Sequence, residues 1–336
     1  MIKVGIIGYG LSGRYLQAPF FEANPNFVLK AIVTNSFNPK EQYPNVEVYS
    51  TVDELITDAD IDLISICSPS DTHFEYAKKA LLSGKHCLVE KPFTATAEEA
   101  KELFELAQKA GKVITVFQNR RFDSDFVTVK KVIDSGLLGE LVCYDVHFDR
   151  YKPVLNPKKW KETVQPGSGI LYDLGSHILD QAIVLFGKPI SVQGEKYTQR
   201  EGSDIDDAFD IRLNYGKLKV KLSSSLLVKK QGPRYTIHGL KGTFTKYGID
   251  VQEDHSKEGL LPSNPLFGIE SEKEFGLLTY EKDGQEFSER IITEKGNWNG
   301  FFQNLADAIN KKADVEVKAE QILEQIQILE KIERID

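Results

Sequence analysis

At 336 residues the chain is longer than one ordinary hydrophobic core supports, so its length predicts two domains. Its composition is 41% hydrophobic and 27% charged, with 25 Gly and 13 Pro, which excludes collagen-like, low-complexity and disordered classes. The net charge of -8 (42 basic against 50 acidic residues) argues against nucleic acid as the main partner, and no apolar run reaches the roughly eighteen residues of a membrane span.

The first eight residues read as a buried strand, not as the long apolar stretch of a signal peptide. Short apolar runs at 2–7, 28–33, 46–49, 63–67, 86–89 and 113–117 are predicted strands. Between them, 11–23, 52–58, 72–82 and 97–110 carry helical patterns, and this alternation predicts a parallel sheet covered by helices on both faces. Pro19 is expected to kink or split the first helix. Cys67, Cys87 and Cys143 lie far apart inside apolar runs. Their odd number and wide spacing argue against a disulfide framework or a zinc site and fit a reducing cytoplasm.

The pattern changes beyond a boundary expected at Arg121, giving domains at 1–121 and 122–336. A helix at 125–135 leads into a strand at 141–149, and a helix at about 170–186 follows a polar loop. Strands are expected at 191–198, 208–215, 218–226, 235–238 and 243–247, joined by turn signals that favour an antiparallel sheet. Residues 252–274 read as loop, and helices near 298–311 and 319–334 close the chain. The expected fold is therefore α/β plus α+β: a dinucleotide-binding domain followed by an open, mostly antiparallel sheet.

Gly8-Tyr9-Gly10-Leu11-Ser12-Gly13 is a G-x-G-x-x-G between a strand and a helix. In that context the first glycine permits the turn and the second lets the backbone approach a pyrophosphate. The third allows close helix–strand packing. The second strand ends Val33-Thr34-Asn35-Ser36, with no carboxylate before Glu41. A carboxylate there would repel a 2′-phosphate, so small polar groups with Lys40 nearby favour NADP over NAD. Lys40 reads equally well as a solvated loop charge.

Two further patterns suggest chemistry. Glu90-Lys91-Pro92 ends the fifth strand, where open parallel sheets bind ligands, and a cis bond before Pro92 would set the chain direction. Lys91 there is suited to donate to a substrate oxygen; taken alone, the tripeptide is a common surface sequence. Gly167-Ser168-Gly169-Ile170-Leu171-Tyr172-Asp173-Leu174-Gly175-Ser176-His177 runs from a glycine loop into a helix. Asp173 and His177 are four apart and share a helix face, with Asp180 one turn beyond. An imidazole titrates near neutral pH and can take a hydroxyl proton, and a carboxylate can orient it.

With these pieces in order, the chain resembles the glucose–fructose oxidoreductase / inositol dehydrogenase / MocA (Gfo/Idh/MocA) family. The matching residues are the 8–13 turn, Ser68-Pro69 with His73, Glu90-Lys91-Pro92, Asn119-Arg120-Arg121-Phe122-Asp123, and Gly167 through His177. The resemblance implies Lys91 as a polarising group, Asp173 as a modulator and His177 as general acid/base. It implies cofactor contacts from Gly8, Gly10, Leu11, Ser12, Gly13, Thr34, Asn35, Ser36, Ser68, Pro69, His73, Glu90, Lys91, Asn119 and Arg120.

Substrate contacts are expected from Lys91, Asp173, His177, Asp180, Arg150 and Tyr151. Arg150 and Tyr151 read equally as a loop ion pair and a packing ring. Arg120 and Arg121 also read as structural residues bridging the domains, and Trp160 as either a ring near the cofactor or packing. The Asn-Arg-Arg-Phe-Asp motif is similar to the branch of NADP-dependent scyllo-inositol dehydrogenases, in which an arginine often follows the second strand; Ser36 and Phe37 stand in that vicinity here.

The implied enzyme is a cytoplasmic NADP- or NAD-dependent dehydrogenase that interconverts a secondary alcohol and a ketone on a sugar or cyclic polyol. Its implied assembly is a homodimer or homotetramer. A second reading is a cofactor-sensing regulatory protein of the same fold, against which the retained lysine, aspartate and histidine argue. Metal catalysis is not expected, since the six histidines form no H-E-x-x-H pattern, and neither G-x-S-x-G nor a phosphate-binding P-loop occurs.

Overall fold

A computed structural model describes residues 1–157, 162–165 and 167–334. Trp160 lies outside the described residues. The chain divides into two compact units, the first made of residues 1–119, 252–267 and 297–323 and the second of 120–251, 268–296 and 324–336. The later chain returns twice to the first unit. That interleaving differs from the expected division at a single point.

The first unit is built on six strands: β1 (Ile2–Ile7), β2 (Phe27–Val33), β3 (Glu47–Tyr49), β4 (Leu63–Ile66), β5 (His86–Val89) and β6 (Ile114–Val116). They pair in parallel in the order β3-β2-β1-β4-β5-β6. This is the Rossmann order, and it reverses direction between β1 and β4. All four residues of β4 are buried, as are Val4 to Ile7 of β1, which explains why these strands are mostly apolar.

Four helices follow these strands: α1 (Ala18–Ala23), α2 (Val52–Thr57), α3 (His73–Leu82) and α4 (Ala97–Ala110). Capping boxes start α2 at Thr51 and Glu54 and α4 at Thr96 and Glu99, satisfying amide donors that the first helical turn leaves open. Residues 12–17 are π-helical and pass directly into α1, with Pro19 in its first turn. The missing amide hydrogen of Pro19 is accommodated by this change of helical pitch, so the expected split appears as a wide turn followed by a normal one.

The returning segments complete the first unit with α7 (Gln252–Lys257) and α8 (Trp298–Ile309); the helices between α4 and α7 belong to the second unit. Phe302 of α8 stacks on Phe20 at 5.2 Å and meets Phe21 edge-on at 4.9 Å. All three rings are essentially fully buried, each contributing about 1.5–3 kcal/mol through burial.

The second unit holds β7 (Leu141–His147), β8 (Ser191–Tyr197), β9 (Ala208–Tyr215), β10 (Leu218–Ser225), β11 (Tyr235–Gly239), β12 (Gly242–Lys246), β13 (Gly276–Lys282) and β14 (Gln285–Ile291). Their order is β14-β13-β12-β11-β7-β10-β9-β8, antiparallel except between β7 and β10. Alternating burial along β9 and β10 marks one face as core. The helices α5 (Ser124–Asp134) and α6 (Ser176–Phe186) pack on that core, together with the end of α9 (Ala319–Glu333) through Ile328, Leu329 and Ile332.

Two local expectations need correction. Residues 252–274 are not all loop, for α7 and a short 3-10 turn at Glu272–Glu274 form within them. The hairpin β13–β14 was not expected at all. Asp283 (φ 55°) and Gly284 (φ 74°) both adopt left-handed backbone at its tip. This is the geometry an Asp-Gly hairpin turn requires. Every residue of β14 up to Arg290 is exposed, so the strand has no hydrophobic alternation to announce it.

Among the described residues no helix is long and apolar enough to cross a membrane. None of them forms a group of His, Cys, Asp and Glu suited to a metal ion.

Candidate active site

The glycine turn sits at the carboxyl end of β1, beside the strand-order reversal where parallel sheets open a crevice. The Gly8 amide donates to the Val33 carbonyl (2.9 Å), which ties the turn to the end of β2. A Cβ on Gly13 would collide with the Gly8 carbonyl oxygen, so the helix approaches the strand only because residue 13 has no side chain. A Cβ on Gly10 would instead meet nothing within 4 Å. That open space over the second glycine fits a dinucleotide's pyrophosphate, so the residues present suit the cofactor that the motif implies.

What holds the turn was not legible from the motif. Glu90 is 9% exposed and accepts from the Ser12 hydroxyl and from Gln17 Nε2 (2.9 Å). The other end of the fully buried Gln17 amide accepts from the Ser65 hydroxyl on β4. One buried side chain thus binds the turn, β4 and the end of β5 together. Gln17 stands 48 residues from Ser65 and 73 from Glu90, and nothing local in the sequence marks it.

Glu90 Oε2 also accepts from the Lys91 amide (3.0 Å), and the Lys91–Pro92 bond is cis. The Lys91 side chain is half-buried. His73 is buried and presents Nδ1 to the Pro92 carbonyl oxygen (2.8 Å) and Nε2 to that of Ser68 (3.0 Å). The imidazole therefore clamps the loops after β4 and β5. The Ser68 hydroxyl bonds that of Thr72 at 2.6 Å, and Pro69 precedes the short turn Ser70–Thr72. Thr34 Oγ1 accepts from the Ser36 amide (3.3 Å) and bends the chain after β2, leaving Asn35 and Ser36 exposed. Asn119 is buried at the end of the first unit.

In the second unit, residues 171–175 are π-helical and continue as α6. Asp173 lies in the wide turn and His177 at the start of the regular helix, so their four-residue spacing spans a change of pitch and not one uniform helix face. Such π segments recur at functional sites. Asp173 is exposed and His177 is buried, which leaves a solvated carboxylate one turn before an imidazole in the core.

The start of this helix is set by Asp206, which the sequence did not single out. Its carboxylate accepts from the Leu171 amide (2.8 Å), and its carbonyl from the Ile170 amide (3.2 Å). Any Cβ on Gly169 would strike that carboxylate, and Gly169 has φ +85°; glycine is required there. Burial pushes the Asp206 carboxyl up to about 6, with the Leu171 amide opposing the shift. Farther along, the Ser176 carbonyl accepts from Gln325 Nε2 (2.6 Å), and Gln181 takes a hydrogen bond from Tyr235 (2.9 Å).

Asp180 corrects the expectation of a substrate contact. It is 1% exposed, and both its oxygens are bound by Arg121, from Nε at 2.7 Å and Nη2 at 2.6 Å. A buried carboxylate is tolerable only when paired in this way. Arg120 is likewise buried, bonded to Asp123 Oδ2 (3.0 Å) and lying 5.2 Å from the Phe148 ring centre. These contacts hold Arg120 within the second unit. The Arg150 and Arg234 guanidinium carbons also lie near the Phe148 ring centre, at 4.6 and 3.9 Å. Tyr151 is 48% exposed and bridges to Leu227, with the Lys229 ammonium 5.6 Å from its ring.

Comparison with known proteins agrees with this two-part fold. Residues 2–118 match the family model described as an oxidoreductase family with an NAD-binding Rossmann fold, and residues 130–334 match that family's C-terminal alpha/beta domain. Among curated proteins, the chain is similar to the scyllo-inositol 2-dehydrogenase (NADP(+)) IolW of Bacillus subtilis (strain 168). The two are 37% identical over 330 residues, covering 98% of this chain and 92% of IolW.

It is 39% identical over 331 residues to an uncharacterized oxidoreductase, YdgJ, of Escherichia coli (strain K12), covering 98% of this chain and 94% of that one. The crystal structure of an oxidoreductase from Bacillus cereus superposes with a TM-score of 0.91 at 35% identity, covering 98% of this chain and 95% of that one. The chain belongs to the Gfo/Idh/MocA oxidoreductase family and is a dehydrogenase with an NAD-binding Rossmann domain and a C-terminal α/β domain.

Proposed function

We propose that the protein oxidises a secondary alcohol on a cyclic polyol or sugar, reversibly, with NADP preferred over NAD. The observation that carries this reading is the placement of an exposed Asp173 four residues before a buried His177, across a π-to-α transition. It occurs in a chain whose first unit keeps Lys91 at the crevice end of β5. A protein that only senses its cofactor has no need of a proton-transfer set. The similarity to IolW, an NADP-dependent scyllo-inositol dehydrogenase by name, favours an inositol-like ring.

When bound, the nicotinamide supplies the hydride-accepting carbon. The chain's residues do the remainder. His177 takes the hydroxyl proton at its imidazole as the carbon–oxygen double bond forms, and Asp173 favours the charged ring that results. In the same reading Lys91, at the end of β5, is the polarising group, whose ammonium donates to a substrate oxygen and stabilises negative charge on it. Thr34, Asn35 and Ser36 leave the end of β2 without a carboxylate to repel a 2′-phosphate. In the same reading the protein works in the cytoplasm as a homodimer or homotetramer.

The test is nicotinamide reduction measured with NADP and NAD in parallel against inositols, aldoses and linear polyols. Turnover with a cyclic polyol and NADP is the expected result. Cofactor binding without turnover on any member of the panel would overturn the enzyme reading in favour of a sensor.

A further inference from the structure

The end of β2 offers no arginine of its own, but the structure brings one there from elsewhere. Arg14 immediately follows the last glycine of the turn, and its guanidinium carbon lies 4.9 Å from the centre of the Phe37 ring. Phe37 belongs to the loop after β2 and is 50% exposed. The same guanidinium is 5.1 Å from the ring of Tyr15. Among the described residues no carboxylate pairs with Arg14, and the Glu41 carboxylate is the first after Val33 in the chain. Lys40, the other nearby cation, has an exposed side chain, and its amide is capped by Asn38 (3.2 Å).

A guanidinium held against an aromatic ring loses little of its freedom on binding. It is weakly hydrated, and its edge presents a fork of N–H donors that matches a phosphate. The Gly8 amide bond to Val33 keeps the glycine turn and the β2 loop adjacent, and the adenosine end of a dinucleotide lies at this position in a Rossmann crevice.

We propose that Arg14, stacked on Phe37, is the residue that reads the 2′-phosphate of NADP, so that the discrimination comes from the helix after the glycine turn and not from a cation in the β2 loop. The assignment rests on the NADP preference proposed above. Phe37 has a positioning role in it: the ring holds the guanidinium and touches no phosphate.

Binding is measured without turnover, by titrating wild type, Arg14→Gln, Arg14→Lys and Phe37→Ala with NADPH, NADH, adenosine 2′,5′-bisphosphate and AMP. Arg14→Gln is expected to weaken NADPH and the bisphosphate by about 10–100-fold and to leave NADH and AMP within about twofold, which also certifies that the variant is folded. Arg14→Lys and Phe37→Ala should lose part of the discrimination, the first by removing the fork and the second by removing its support. If wild type prefers NADPH and Arg14→Gln keeps that preference, the Arg14 assignment falls while the NADP reading stands. Equal weakening of both cofactors by Arg14→Gln would show a role in the turn itself and also overturn the assignment. If wild type binds NADPH and NADH alike, the NADP reading fails and the assignment with it.

Discussion

The two units secure their functional segments by different means. In the first, the glycine turn is fixed by uncharged donors around one carboxylate: the Ser12 hydroxyl, the Gln17 amide and, behind it, the Ser65 hydroxyl. In the second, the helix bearing Asp173 and His177 is flanked by opposite full charges taken out of water. Arg121 grips Asp180, with both side chains at most 3% exposed, and Arg200 joins Asp207 and Glu162. Each arrangement carries a distinct vulnerability. Removing one uncharged donor leaves the Glu90 carboxylate its other donors, whereas removing one member of a buried ion pair leaves an unsatisfied charge.

The largest difference should appear on breaking these contacts singly. Arg121→Ala is expected to destabilise the protein by about 3–5 kcal/mol in denaturant unfolding, because Asp180 is left buried and unpaired. Replacing both partners by apolar residues, as in Arg121→Met with Asp180→Leu, should recover most of that loss. Gln17→Ala should cost about 1–3 kcal/mol, because the Ser65 hydroxyl loses its acceptor while Glu90 keeps the Ser12 hydroxyl and the Lys91 amide. If the Gln17 change costs as much as Arg121→Ala, or if the double replacement is worse than the single one, the contrast between the units is wrong.

A smaller effect separates the units by the sign of a pH slope. In the first, burial holds His86 down at about 4, and its Nδ1 accepts from the Val113 amide (2.9 Å). The unfolded chain takes up that proton more readily, so stability is lost as pH falls from about 6.5 towards 4. In the second, burial raises Asp206 to about 6. There the folded state holds the proton more tightly, and stability is lost as pH rises from about 4 to 6.

The two slopes oppose each other in wild type. His86→Gln should therefore give a protein whose unfolding midpoint falls with rising pH relative to wild type across this window, and Asp206→Asn one whose midpoint rises. Each effect is bounded at about 3 kcal/mol and is smaller for the partly exposed His86. Slopes of the same sign in the two variants would remove the distinction.

How much of this was legible follows from how far apart the cooperating residues are in the chain. The strands β1, β4 and β5 announce themselves through short, mostly apolar runs, because burial on two faces constrains nearly every position. The glycine turn, Glu90-Lys91-Pro92 and the Asp173–His177 pair are local patterns, readable within a dozen residues. Gln17 and Asp206 are not, for their importance lies in partners 35 to 73 residues away. Asp180 illustrates the same limit. Its helical spacing from His177 suggested a shared ligand, while its partner Arg121 lies 59 residues earlier. The hairpin β13–β14 is a different case: its Asp283-Gly284 turn was a readable signal beside a strand too exposed to show a pattern.

The central claim is that His177 moves the proton. Its most direct test is His177→Asn, with steady-state turnover on the substrate found in the panel measured beside the dissociation constant for the cofactor. The account predicts a fall in kcat of roughly 10²–10⁴-fold with cofactor affinity unchanged. Turnover retained at the wild-type rate, with the cofactor bound as before, would contradict it.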